Sequence, residues 1–259
     1  MIRANSEGEA PFCENLFNLK HGCFLMRELD LSPALREHWE QNEKNNHISS
    51  LREVILGGQD GLVNVLGLML GVASATNDSR IVVVAGIAAA FAESVAMAAV
   101  AYTSGKAARD YYYSEREREQ LEIEELPEIE REEIKVLYMR KGFKGKELET
   151  IANAICSDKK RWLDTMMSEE LNMSEPEEGK PAKDAVVVGI SALVGSFIPV
   201  VPFFVLPVSL AMWSALGIAI LVLFVAGAIK AKLTIGNWKK EGLEMAIIGM
   251  VSALIGYGI

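Results

Sequence analysis

The stretch VILGGQDGLVNVLGLMLGVASA (54–75) is followed after five residues by a second, IVVVAGIAAAFAESVAMAAVAYTS (81–104). Both exceed the ~18 residues at which an apolar run reads as a membrane helix. Each is also broken by a carboxylate, Asp60 in the first and Glu93 in the second. A charged side chain near the centre of a bilayer costs about 2.5–3.5 kcal/mol on insertion scales, and such residues face a bundle interior or an ion path. The two runs therefore predict adjacent membrane helices with a transport role.

The composition of the whole chain agrees. Of 259 residues 50% are hydrophobic, yet 24% are charged and the net charge is −9. These values conflict for one uniform domain and fit a segregated one. Apolar residues fill 54–104 and 184–259, and charge concentrates in 106–183. The expected fold class is an all-α membrane protein of five transmembrane helices, near 52–75, 81–105, 184–205, 208–231 and 242–259, with a helical insert between helices two and three. The expected domains are an N-terminal arm (1–50), helices one and two (51–105), the acidic insert (106–183) and helices three to five (184–259).

Charges throughout the first 50 residues leave no apolar signal-peptide core, so the first span directs insertion. Within the arm, LSPALREHWEQNEKNN (31–46) reads as a short helix capped at Ser32 with Pro33 as its first residue. Cys13, Cys23 and Cys156 have no paired spacing, give no disulfide framework and fit a reducing side. Basic residues set the orientation. Lys230, Lys232, Lys239 and Lys240 lie between the last two spans, and Lys106 and Arg109 flank the exit of the second. The arm, the insert and the 230–241 loop are thus expected in the cytosol.

Gly57, Gly58, Gly61, Gly67 and Gly71 in the first span suit close helix approach and a tight dimer face. The alanine-rich second span reads, like the first, as an inner, packed helix. Pro199, Pro202 and Pro207 mark the turn between spans three and four. Asp60 lies about 9 Å inside the first span at ~1.5 Å per residue, and Met97 lies at nearly that depth from the end of the second. Carboxylate and thioether at one level make a metal way-station, with Glu93 one turn from Met97 on the same helix face.

The insert begins with RDYYYSEREREQLEIEELPEIEREEIKVLYMRKG (109–142), interrupted at Pro127, and continues in a second helix over 146–171. The tract 172–183 is a linker. Carboxylates recur at i, i+3, Glu119 with Glu122 and Glu130 with Glu133, which aims each pair at one point beside the helix. The second helix adds Met166, Met167 and Glu170. A solvated acidic surface is the plainer reading of a glutamate-rich helix. The repeated pairs, and methionines beside a glutamate, argue instead for a metal-binding insert. With no histidine after His47, the Glu-x-x-His pattern of di-iron bundles is missing. Mixed carboxylate and thioether ligands point to a first-row divalent ion, Fe2+ first, with Mn2+, Co2+ and Zn2+ as alternatives.

In LREVILGGQDGLVNVLGLMLGVA (51–73), ESVAMAAVAYTSGKA (93–107), the insert with MM-x-x-E at 166–170, VGSFIPVVPFFVLP (194–207) and GAIKAKLTIGNWKKEGLEMAIIGMVSALIGYGI (227–259), the chain resembles the vacuolar iron transporter family over about 51–259. The resemblance implies a five-span homodimer that moves Fe2+ out of the cytosol in exchange for protons. It implies insert ligands Glu119, Glu122, Glu130, Glu133, Met166, Met167 and Glu170, and path residues Asp60 and Met97. The family commonly carries an acidic residue two turns before that methionine. Here the position is Ala89, and Glu93 is the candidate to stand in.

The expected partners are divalent metal ions, protons, the lipid bilayer and a second copy of the chain. No nucleic acid, prosthetic group or enzymatic activity is expected. A multi-pass protein of the plasma membrane is preferred to one of an organelle. The rival readings are a membrane-anchored ferroxidase and a metal sensor using the acidic insert.

Overall fold

The computed structural model describes residues 47–233 and 236–258. The expected helix from Ser32, Cys13 and Cys23 lie outside them. The described residues form helices α1 (His47–Thr76), α2 (Ser79–Glu125), α3 (Pro127–Arg140), α4 (Gly145–Cys156), α5 (Lys159–Thr165), α6 (Lys180–Val205), α7 (Val208–Leu233) and α8 (Trp238–Tyr257). Four of these are long and apolar enough to cross a membrane: α1 over Leu51–Thr76, α2, α6 and α7. The fifth expected span is the helix α8, which falls short by that measure. Lys239, Lys240, Glu241 and Glu244 charge its first two turns.

The chain divides into two compact bodies, one of residues up to Ser94 and from Val187 onward, the other Val95–Val186. In the first, the buried face of α1 supplies Leu62, Val65, Leu66, Met69 and Ala73, packed with Ala211, Ala215, Ala219 and Leu223 of α7. Helices α1 and α6 meet backbone to backbone. A methyl group added at Gly57 would fall 2.3 Å from the Val188 carbonyl oxygen, and one at Gly61 would fall 2.3 Å from that of Ala192. Only glycine permits this approach. Gly57 and Gly61, expected on a dimer face, are thus spent inside the chain.

Helix α2 departs from its expected inner position. Only 17% of its apolar window is buried, against 44% for α1. Its small side chains bury little in the single chain, and Ile81, Val84, Phe91 and Val95 stand exposed. The Ser94 hydroxyl donates to the Gly189 carbonyl at 2.7 Å, fastening α2 to α6.

The prolines also depart from expectation. Pro199 and Pro202 lie inside α6, and the chain turns only at Leu206 and Pro207. A helix in lipid keeps every backbone hydrogen bond it can, so proline bends it more readily than it ends it.

In the second body, α3, α4 and α5 pack around Tyr112, Ile123, Ile134, Ala152, Ile155, Trp162 and Leu163. Pro127 opens α3 at the position where proline lacks no needed donor. The expected single helix over 146–171 is broken at Ser157–Asp158. The Asp158 carboxylate accepts from the Arg161 amide at 2.8 Å and caps a new helix, α5. Aspartate earns more from a free amide at a helix start than from a place in the interior. Arg116 of α2 then holds Asp164 of α5 at 2.9 Å.

Candidate functional site

Helix α5 continues into a wider π-helical turn, Met166–Glu170. The Leu171 amide donates to the Met166 carbonyl five residues back, at 3.1 Å. That extra residue lets both adjacent methionines point inward, Met166 fully enclosed and Met167 2% exposed. π-helical turns inside helices recur at functional sites. Lys141, just past α3, pairs with Glu169 of the turn and lies over the Tyr138 ring, 4.8 Å from its centre.

Glu119 and Glu122, one turn apart on α2, converge with Glu130 of α3. Ligand oxygens from all three lie within 4.8 Å of one another. Glu119 is 2% exposed and Glu130 4%. Glu119 Oε1 and Glu130 Oε2 are buried with no hydrogen-bond partner. An unpaired buried carboxylate is costly, so such an arrangement asks for protons or a cation. Burial first, then the adjoining Glu130 carboxylate, and then the charges of Glu170 and Glu122 push the Glu119 carboxyl up to about 8. Burial likewise raises Glu130, helped by Glu133 and Glu122. It raises Glu170 too, whose carboxyl lies beside that of Glu133.

The four glutamates expected from the i, i+3 spacing, and Glu170, therefore bear on one region of the second body, with Met166 and Met167 in its core. The i, i+3 rule brought out the pairs. Their convergence depends on the reversal at Leu126–Pro127. What the sequence reading missed is Arg118. Its Nη1 donates to both carboxylate oxygens of Glu122, at 3.3 and 3.4 Å, and its Nη2 to Glu115 at 2.7 Å. The i, i+4 spacing to Glu122 was available as a signal.

In the first body, Asp60 and Glu93 face each other within hydrogen-bonding reach across α1 and α2. The Asn64 side-chain amide donates to Glu93 Oε1 at 3.1 Å. Asn64 was not singled out beforehand, although it follows Asp60 by one helical turn. A cavity of about 250 Å³ opens beside Asp60, lined by Leu56, Gln59, Asp60, Val63 and Asn64 of α1 and Gly249 and Ser252 of α8. Its polar atoms are oxygens and amide nitrogens, fit to receive a proton or a partly hydrated cation. Met97 sits half-buried one turn beyond Glu93 on α2 and belongs to the second body.

The sequence profile of the VIT family matches residues 51–259. "Vacuolar iron transporter 1" of Tulipa gesneriana is 30% identical over 226 residues, covering 87% of this chain and 91% of that protein. The protein of the same name from Arabidopsis thaliana is 30% identical over 227 residues, covering 87% and 90%. "Vacuolar iron transporter" of Plasmodium falciparum is 26% identical over 236 residues, covering 87% and 86%.

Proposed function

From the premise that this chain belongs to the VIT family, we infer that it carries Fe2+ across a membrane, out of the cytosol and in exchange for protons. The observation that carries this reading is the pair of buried carboxylates, Glu119 and Glu130, each with one oxygen lacking a partner, and Glu122 beside them. A divalent ion would supply the missing partner for both orphaned oxygens, and its binding would expel the proton that burial holds on Glu119.

The reading makes the insert a cytosolic receiver. Glu119, Glu122, Glu130, Glu133 and Glu170 concentrate the ion, and Met166 and Met167 favour iron over the harder magnesium and calcium. Asp60, Glu93 and Met97 form the path through the membrane. Asp60 and Glu93 lie within hydrogen-bonding reach of each other, so a proton held between them is exchanged for a cation more readily than from either alone. Glu93 fills the acidic role that Ala89 leaves vacant.

In this reading α8 completes a set of five spans, its charged first turns resting at the cytosolic interface with Lys230 and Lys232. A second copy covers the exposed face of α2. Mn2+, Co2+ and Zn2+ are further cargoes. The plasma-membrane preference gains nothing from relatives named for the vacuole, and imaging a tagged copy would locate the protein.

Fe2+ uptake into proteoliposomes of the purified protein, with internal pH recorded, tests the function. Metal entry that requires an opposing proton flux is the expected result. Metal binding without flux under any gradient would overturn transport, and oxygen uptake on adding Fe2+ would then point to a ferroxidase.

A further inference from the structure

Arg118 holds two carboxylates unequally. Its Nε and Nη2 both reach Glu115 Oε2, at 3.2 and 2.7 Å. Only Nη1 reaches Glu122, and there it is split between the two oxygens at 3.3 and 3.4 Å. Short two-pronged contacts are the strong ones, and a long shared contact is weak. The Glu115 side chain is also the more enclosed partner, 18% exposed against 36% for Glu122. The guanidinium itself is half exposed. Nη1 can therefore leave Glu122 for water while the other two nitrogens keep their hold.

Glu122 is meanwhile one of the three converging carboxylates, and the Arg118 charge also bears on Glu130 and Glu170. A cation placed at the rim of a carboxylate cluster, weakly tied to one member and firmly tied to an outsider, is arranged for exchange. We propose that Arg118 is a resident counter-cation. It occupies Glu122 in the metal-free protein, yields it to an incoming divalent ion, withdraws onto Glu115, and so sets how tightly the insert holds its cargo. A site that feeds a transport path must release what it captures, and a competing cation weakens binding without removing a ligand. The proposal rests on the reading of Glu119, Glu122 and Glu130 as metal ligands.

Titration calorimetry of the full-length protein in detergent with Mn2+, which resists air oxidation, tests it. Arg118→Gln should tighten binding about fivefold, the fold-change equivalent to ~1 kcal/mol at the upper end for an exposed ion pair. Glu115→Gln should weaken it, because Arg118 loses its alternative partner and stays on Glu122. Glu117→Gln carries the same charge change and should have a smaller effect. In a Glu122→Gln background the effects of the Arg118 and Glu115 substitutions should both shrink, leaving only the longer-range pull of Arg118 on Glu130 and Glu170. Wild-type affinity in Arg118→Gln, or equal effects of the Glu115 and Glu117 substitutions, would overturn the proposal. If wild type binds no Mn2+, or Glu130→Gln binds as wild type does, the metal-ligand reading fails and the proposal fails with it.

Discussion

A methyl group built on Gly195 would lie 2.1 Å from the carbonyl oxygen of Gly58, so these two glycines bring α6 and α1 into direct backbone contact. The wall that carries Asp60, two residues further along α1, is fixed by that contact. Gly195→Ala is expected to destabilise the protein by about 1–3 kcal/mol, the cost of overpacking where backbone cannot yield. Gly217 of α7 has open space beyond it. Gly217→Ala should leave stability unchanged or slightly raised. Thermal unfolding in detergent compares the two. Equal losses would show that the close α1–α6 crossing at Gly195 is not what makes glycine necessary there.

Asp60→Asn should lower Fe2+ flux in proteoliposomes by roughly an order of magnitude or more, because an intramembrane charge on a cation path has no substitute. Asn64→Ala leaves both carboxyls in place and removes only the amide that orients Glu93, so its loss should be smaller. Folded yield should match wild type in both. Wild-type flux through Asp60→Asn would remove Asp60 from the path.

The proton on Glu119 makes two measurements depend on pH in opposite ways. The folded, metal-free protein keeps that proton up to about 8, whereas an unperturbed glutamate gives it up near 4.5. Between those values the folded state binds the extra proton, so its stability falls as pH rises and levels off above about 8. Metal must expel the same proton, so metal affinity rises with pH over that window. Calorimetry in buffers of different ionisation enthalpy counts the protons released.

Glu119→Gln should therefore abolish tight Mn2+ binding and raise the melting temperature of the metal-free protein by a few degrees at pH 8. The buried charge that costs stability is the one that serves the site. A melting temperature lower than that of wild type would mean that the carboxylate is satisfied in a way the amide cannot match.

The membrane runs were legible because burial in lipid demands unbroken apolar length, and α6 and α7 begin and end close to where hydropathy puts them. The glutamate pairs were legible because one helical turn separates their members. Pro199 and Pro202 misled, since proline reads as a turn in water and only as a bend in a membrane helix. Asp158 was overlooked for a related reason. Within a helical pattern nothing local distinguishes an interior aspartate from one that caps the next helix. Asn64 and Arg118 act through partners. Arg118 finds its own on the same helix, at a spacing the sequence displays. Asn64 finds Glu93 on another helix, 29 residues away, and only the folded chain discloses that.

The widened turn at Met166–Glu170 has a consequence for length. Removing Ser168 would delete no ligand, yet it would rotate Glu170 by about 100° relative to Met166, one residue's worth of helical phase. On the proposed reading, the capacity to hold metal is thus written partly as a number of residues. Two chains with the same glutamates and methionines but one residue's difference in this turn would present them to different sides of the helix. In this stretch an insertion or deletion is as consequential as the loss of a ligand.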